Sequence, residues 1–285
     1  MKPALSPALR RTHTPRRAPW CALVGAGPGD PELLTLKALR IARSATVLLV
    51  DDLVSDAVLA RVLRGRRQPP RVVPVGSRGG CSGAPQAFIE RLMVNQALAG
   101  ERVVRLTGGD PFVCGRGGEE AEALRAQGVQ VEVVNGITAG LAAATALGVP
   151  WTYCDHAQGV MLVTAHAQAG TSGPDWAVPG AAAAQGLTLV VYMGMARLAD
   201  LQAGLRATLP AATPAAVVQH AGLPHERRLR TTLGNLAADA LAHCMASPAI
   251  VVVGDVLLAC AAAHQSEAVP KRAVHRASPN AARAA

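Results

Sequence analysis

Short apolar runs recur along this chain, each closed by a turn rich in Gly, Pro or Asp and most followed by a helical repeat of apolar positions. That alternation constrains the fold more than any other feature. Residues 21–24, 45–50, 71–75, 102–106 and 129–134 have the length and β-branched content of buried strands. Between them, residues 33–42, 88–98 and 119–126 repeat apolar positions at helical spacing. The pattern predicts an α/β architecture with a largely parallel sheet. Near Val134-Asn135-Gly136 the rhythm changes: an Ala-rich helix at 139–146 precedes strands at 160–164, 187–192, 215–219 and 249–253, with 167–185 reading as loop. The chain is expected to divide into α/β domains at 20–135 and 136–263, both of ordinary size. Flanking segments 1–19 and 264–285 have Pro-, Arg- and Ala-rich compositions without periodicity and are expected to be disordered.

Charge and composition remove several functional classes. The net charge is +9 over 285 residues, but 1–17 carries five basic residues and no acid, and 264–285 carries four against Glu267, which leaves +1 for 18–263. The tails therefore hold the charge, and no basic groove for nucleic acid is expected. An aromatic content of 2% argues against a base-stacking surface. Apolar stretches at 136–149 and 249–263 fall short of a membrane span, and the second is interrupted by Asp255. The run 20–26 after the N-terminal arginines is too short for an export signal. Six cysteines without a C-x-x-C pair read as reduced thiols in a cytoplasm. No H-x-x-x-H or His/Cys cluster points to a metal, and no G-x-S-x-G elbow points to a serine hydrolase.

Five segments carry candidate chemistry. Val24-Gly25-Ala26-Gly27-Pro28-Gly29-Asp30-Pro31 follows the first strand but lacks the G-x-G-x-x-G spacing of a dinucleotide site. Pro28 removes an N–H where a phosphate would need one, and Asp30 would repel the anion. Two readings stay open: a tight turn with Pro31 opening a helix, or a seat for a phosphate-free nucleoside such as S-adenosylmethionine. Arg105-Leu106-Thr107-Gly108-Gly109-Asp110-Pro111 runs on to Gly115-Arg116-Gly117-Gly118-Glu119-Glu120, where paired glycines allow a ligand close to backbone. Asp51-Asp52 ends a strand, the place where open α/β sheets carry ligands. Gly136-Ile137-Thr138-Ala139 opens an apolar helix with Thr138 as N-cap. Tyr192-Met193-Gly194 ends another strand, where Tyr192 and Met193 are placed either to clasp an adenine or to fill core.

Together these segments resemble the tetrapyrrole methylase family, from about residue 22 to 258, most specifically in Val24–Thr35 (VGAGPGDPELLT) and Arg105–Glu120 (RLTGGDPFVCGRGGEE). The resemblance implies two α/β domains with the active site in the cleft between them, in a cytoplasmic homodimer that uses S-adenosylmethionine as donor and no metal. It implies C-methylation of uroporphyrinogen III at two ring carbons to give precorrin-2, which feeds sirohaem and cobalamin synthesis. Donor contacts fall by this resemblance on Pro28, Gly108, Gly109, Asp110, Val113, Thr138, Ala139, Met193 and Ala221, and a proton acceptor on Asp51 of Val50-Asp51-Asp52-Leu53-Val54-Ser55. The chain departs from the family at Ser77 and Thr107, where Lys is usual, at Asn135, where Pro is usual, and across Pro150–Asp155. Residues 18–263 contain a single Lys, Lys37, so an acidic macrocycle must be held by Arg, and Arg78, Arg116 and Arg227 are the candidates with Ser77 beside them. Two other functions fit the same residues: a sister enzyme methylating a later precorrin, and a weakened tetrapyrrole-binding protein.

Overall fold

The computed structural model describes residues 18–76, 85–166 and 174–259. Strands β1 (Trp20–Gly25), β2 (Val47–Val50), β3 (Arg71–Pro74), β4 (Arg102–Thr107) and β5 (Gln130–Val134) form one sheet in the order β3-β2-β4-β1-β5, parallel throughout. The central strands β1, β2 and β4 are nearly continuous apolar runs because both faces are covered, while the edge strands β3 and β5 are only partly buried. Helices α1 (Leu36–Ala42) and α2 (Asp56–Leu63) pack on one face with Ala22, Val24, Leu48, Val104 and Leu106. Helices α3 (Gln86–Leu98) and α4 (Gly117–Ala126) cover the other, around Cys21, Leu23, Val47, Leu49 and Val103.

The second sheet takes β6 (Gly159–Thr164), β7 (Leu187–Tyr192), β8 (Pro214–Gln219), β9 (Arg227–Thr232) and β10 (Ala249–Val253) in the order β6-β7-β10-β8-β9. Here the sheet is mixed, in keeping with the change of rhythm after residue 135. Only β6–β7 is parallel; β10 runs antiparallel to both its neighbours, and β8–β9 is antiparallel. Helix α5 (Ala139–Leu147) covers one face; α6 (Ala177–Ala184), α7 (Leu198–Arg206) and α8 (Leu236–Ala242) cover the other. The stretch expected as loop therefore contains α6. Pro179 lies in that helix's first turn, where its missing N–H is not needed. Gly180 admits the Thr208 hydroxyl to within 2.0 Å of where a Cβ would stand. Strand β9 escapes pattern reading because Arg227, Arg228 and Arg230 leave only Leu229 buried; its charges protect a sheet edge.

Segments 1–17 and 260–285 lie outside the described residues. Pro19, assigned to the first tail, is ordered: its carbonyl accepts from Gln130 N at 2.8 Å and extends the β1–β5 ladder. Among the described residues no helix is long and apolar enough to cross a membrane.

Candidate active site

The carboxyl ends of β1 and β4 lie side by side, so the two Gly-rich loops that follow them meet. Gly27 N donates to Gly109 O at 3.1 Å and Gly109 N to Gly27 O at 2.8 Å, a one-pair antiparallel bridge between segments eighty residues apart. Both glycines have positive φ, +71° and +66°. The contact is too close for side chains: a Cβ on Gly136 would stand 2.1 Å from Gly109 O, and one on Gly25 2.5 Å from Gly136 N. Pro31 opens a 3₁₀ turn (Pro31–Leu33) that Asp30 caps by accepting from Glu32 N at 2.8 Å. The tight-turn reading of this segment is thus correct as local structure, and the same turn forms a wall of a cavity.

That cavity has a volume of about 460 Å³ and lies between the carboxyl edge of the first sheet and the ends of β7, β8 and β10. Pro28, Gly108, Gly109, Asp110, Val113, Thr138, Ala139, Met193 and Ala221, all nine donor-side positions, line it. Its wall also includes Tyr192, which the sequence offered as a possible adenine contact, and Leu53, Cys114, His166, Val218, His220, Leu223 and the segment 247–250, which motif reading does not select as site residues. Their signal is weak, because they lie at or near strand ends without a recurring residue type. No Lys or Arg lines the cavity among the described residues.

Asp110 holds the first wall from beneath. Its Oδ1 accepts from Phe112 N at 2.8 Å; its Oδ2 accepts from Gly136 N and from Asn135 Nδ2, both at 3.1 Å. Asn135, one of the departures from the family pattern, thereby adds a donor that Pro could not supply. The opposite wall is held by Tyr192. Thr138 has N-cap backbone geometry at α5, but its hydroxyl makes no capping bond. Instead the Tyr192 hydroxyl accepts from Gly140 N at 3.1 Å and pairs with Thr138 Oγ1 at 2.8 Å, so a strand residue caps the helix. Burial raises the Tyr192 phenol above its ordinary value, against the lowering by Thr138 and the Gly140 N–H. Met193 has φ +55° and is half-exposed on the cavity wall, not core.

Asp51 sits at the end of β2, two residues from Leu53 on the wall. Its Oδ1 accepts from Leu53 N at 3.3 Å and its Oδ2 from Arg105 Nη2 at 3.1 Å. Burial pushes this carboxyl up, but the Asp52 carboxyl, the Arg105 charge and the Leu53 N–H together outweigh it and hold Asp51 below the usual carboxylate range. Arg105 also reaches Glu120, with Nε 3.3 Å from Oε1. Sequence reading passed over both partners, although a lone Arg within a buried apolar strand was a usable signal.

The substrate-side candidates scatter. Arg116 is exposed at the start of α4 and pairs with Glu119 at 3.1 Å. Arg227, like Arg116, is not on the cavity wall; its guanidinium donates to His243 O at 2.6 Å and Cys244 O at 3.0 Å past the end of α8. The carbonyl-rich end of a helix is a natural seat for a cation. Ser77 and Arg78 lie outside the described residues.

Solved methyltransferase structures share this architecture. The uroporphyrin-III C-methyltransferase of Thermus thermophilus, in complex with S-adenosylhomocysteine, is 38% identical, covers 84% of this chain and 99% of its own, and superposes with a TM-score of 0.72. A cobalt precorrin-4 methyltransferase matches with the same TM-score at 27% identity, covering 83% of this chain and 95% of its own. The model of the Tetrapyrrole (Corrin/Porphyrin) Methylases matches residues 21–237, and the chain belongs to that family. The uroporphyrinogen-III C-methyltransferase of Pseudomonas aeruginosa is 53% identical over 235 residues, 82% of this chain and 92% of that protein. The sirohaem synthase of Gluconacetobacter diazotrophicus is 46% identical over 237 residues, 82% of this chain but 49% of that protein.

Proposed function

We propose that this protein transfers methyl groups from S-adenosylmethionine to two ring carbons of uroporphyrinogen III, giving precorrin-2. One observation carries the reading: nine positions spread from Pro28 to Ala221 converge on a single cavity whose wall has no Lys or Arg among the described residues. Such a wall fits a nucleoside that carries a sulfonium cation and no phosphate. Asp110 spends its polar atoms on neighbouring loops and Thr138 its hydroxyl on Tyr192 at the end of β7, and so they fix the backbone that the ligand would meet.

S-adenosylmethionine, when bound, supplies a methyl group that is already electrophilic, so this chain has to align and shield more than to donate protons. The paired Gly loops and Tyr192 hold the walls that set that alignment. Asp51, kept ionised, is the acceptor for the proton released when a ring carbon is methylated, and its charge favours the cationic ring that precedes release. Arg116 is the described cation best placed for a substrate carboxylate. It stands two residues from Cys114 on the wall, and its exposed pair with Glu119 is easily exchanged, since such pairs contribute only about 0–1 kcal/mol. The reading includes a cytoplasmic homodimer; Val160 and Leu162 face outward from edge strand β6, and light scattering in solution tests the assembly.

The deciding experiment incubates the protein with isotopically labelled donor and uroporphyrinogen III under reducing conditions and reads product mass. Two added methyls support the proposal. Transfer only to an already methylated precorrin would reassign it to a sister reaction, and binding without transfer would make it a carrier.

A further inference from the structure

Arg105 is a cation inside a sheet. Its side chain is 6% exposed and lies on the α3/α4 face of β4, the face that Val103 also occupies. On β2 the same parity takes Val47 and Leu49 into that layer and brings Asp51 over Arg105. The guanidinium spans two carboxylates on different elements: Nη2 to Asp51 Oδ2 at 3.1 Å and Nε to Glu120 Oε1 at 3.3 Å. Its Nη1 donates to Leu106 O at 3.4 Å. Gln86, the first residue of α3, donates to the same Glu120 oxygen at 3.3 Å. Glu120 is 2% exposed, and its Oε2 has no hydrogen-bond partner among the described residues.

Stability is a poor reason for such an arrangement. A buried charge network is often matched or bettered by apolar residues of similar volume. One guanidinium serving two carboxylates through single contacts, with a carboxylate oxygen left over, is not the geometry that maximises pairing. It is the geometry that ties the end of β2 to α4 and presents one carboxylate outward: Asp51 keeps 23% of its side chain exposed while both partners are enclosed.

We propose that Arg105 is a positioning residue for Asp51, anchored by Glu120 and Gln86, that fixes the direction of that carboxylate and maintains its charge beside the cavity. The inference rests on the role proposed above for Asp51. The groups facing Asp51 or Arg105 act in opposite directions. Asp52 and Arg105 favour the charged form of Asp51, burial opposes it, and Glu120 across the guanidinium offsets part of the Arg105 charge. Cys21, on the neighbouring β1, is pushed up to about 12 by burial first and then by Glu120, and stays a neutral thiol. Burial is the largest single influence on Asp51; removing the cation takes away two of the four influences that oppose it, the charge and the hydrogen bond of Arg105, and leaves Asp52 and the Leu53 N–H, so protonation of Asp51 should move up toward the working pH range.

The test measures kcat for methyl transfer at saturating donor from about pH 5.5 to 8.5. Four proteins are compared: wild type, D51N, R105K and the double variant R105Q/E120Q, which avoids leaving Glu120 as an unpaired buried carboxylate. The wild type should be flat on its acid side. R105Q/E120Q should acquire an acid limb that falls about tenfold per pH unit, and R105K should restore the flat profile at a several-fold lower kcat. Calorimetric donor affinity within about threefold of wild type shows that the cavity is assembled. If R105Q/E120Q loses activity by one factor at every pH, the inference is overturned while the role of Asp51 stands. If D51N keeps its turnover, the role of Asp51 falls with it. Should the double variant not fold, carboxyl-carbon NMR titration of the wild type, assigned with D51N, decides the matter: Asp51 ionised down to about pH 4.5 supports the inference, and a midpoint above 5 refutes it.

Discussion

Asp110→Asn is the substitution that most directly probes how the cavity is held. The change is isosteric and leaves the backbone free to keep its path, so its effect reports on hydrogen bonding. The carboxylate accepts three N–H groups, from Phe112, Gly136 and Asn135. An Asn side chain has one acceptor oxygen. If that oxygen keeps Gly136 and Asn135, its amide faces the Phe112 N–H; if flipped, its amide faces the other two donors. The loops cannot relax around the conflict, because Gly25, Gly109 and Gly136 are already in contact that no Cβ would survive. Losing a charge-assisted bond costs about 1.5–3 kcal/mol and an orphaned buried N–H about 1–3 kcal/mol, so with partial hydration about 3 kcal/mol of stability should go. For a chain of this size that lowers Tm by about 6–12 °C. Thermal unfolding by circular dichroism reads the stability, and calorimetry with S-adenosylhomocysteine should give a Kd weakened roughly tenfold, about 1.4 kcal/mol. Asn135→Ala removes one donor and should cost about 1 kcal/mol. Combined with Asp110→Asn it should cost less than the sum, because one of the opposed donors is gone. A Tm within about 2 °C of wild type with unchanged Kd would refute the clamp.

Asp51→Asn should leave donor affinity within a few-fold and lower turnover about a hundredfold, the range of a lost general base, as read by single-turnover methyl transfer. Tyr192→Phe removes the group that caps α5 and should destabilise by about 1–2 kcal/mol in urea unfolding, more than Thr138→Val, because only the first strips the Gly140 N–H. His220 is held below its ordinary value by burial first and by His225 second, so it is neutral at pH 7 and becomes charged only as pH falls below about 6.5. A charged imidazole on the wall opposes a sulfonium, so between pH 7.5 and 5.5 calorimetry should show affinity falling more for S-adenosylmethionine than for neutral S-adenosylhomocysteine. His220→Asn, which tolerates the φ of +55°, should erase the difference. Cys21, buried and pushed up to about 12, should resist alkylation at pH 8 until the protein is denatured, as peptide mass spectrometry would show.

The first sheet was legible because a parallel strand buried on both faces leaves an apolar run: β1 and β2 are unbroken, β4 is interrupted inside only by Arg105, and the edge strands β3 and β5 keep paired valines. The second sheet was less so. Its direction depends on β10 entering between β7 and β8, a long-range choice that no local pattern records. Strand β9 hides behind its arginines, and α6 behind Pro179 and Gly180, residues that read as breakers until Thr208 and the first-turn position account for them. In the site, the glycine loops were visible because close backbone approach demands a particular residue. Tyr192 as the cap of α5 was not, because the partner of Thr138 lies 54 positions away. Arg105 and Glu120 stood within a motif read for its glycines, and their pairing with Asp51 follows only from strand parity across β2 and β4.

A cationic donor and a polycarboxylate acceptor make opposite demands on one cleft. Positive charge on the cavity wall would repel the first, yet the second needs it. The fold separates the two requirements by depth. Along the wall the described residues offer apolar side chains, backbone, hydroxyls, a thiol and the imidazoles of His166 and His220, and the one carboxylate, Asp110, is spent on its own loops. The guanidinium nearest Asp51 is turned inward, between carboxylates, where its field stabilises Asp51 without reaching the wall as a free charge. Arg116 stays outside, exposed, with a weakly held partner that a substrate carboxylate can replace. On this arrangement Arg116→Ala should raise KM for uroporphyrinogen III and leave Kd for the donor unchanged, whereas a substitution that places Lys on the wall, such as Val113→Lys, should do the reverse. Steady-state kinetics in both substrates separates these outcomes. If Arg116→Ala weakened the donor as much as the acceptor, the division by depth would be wrong.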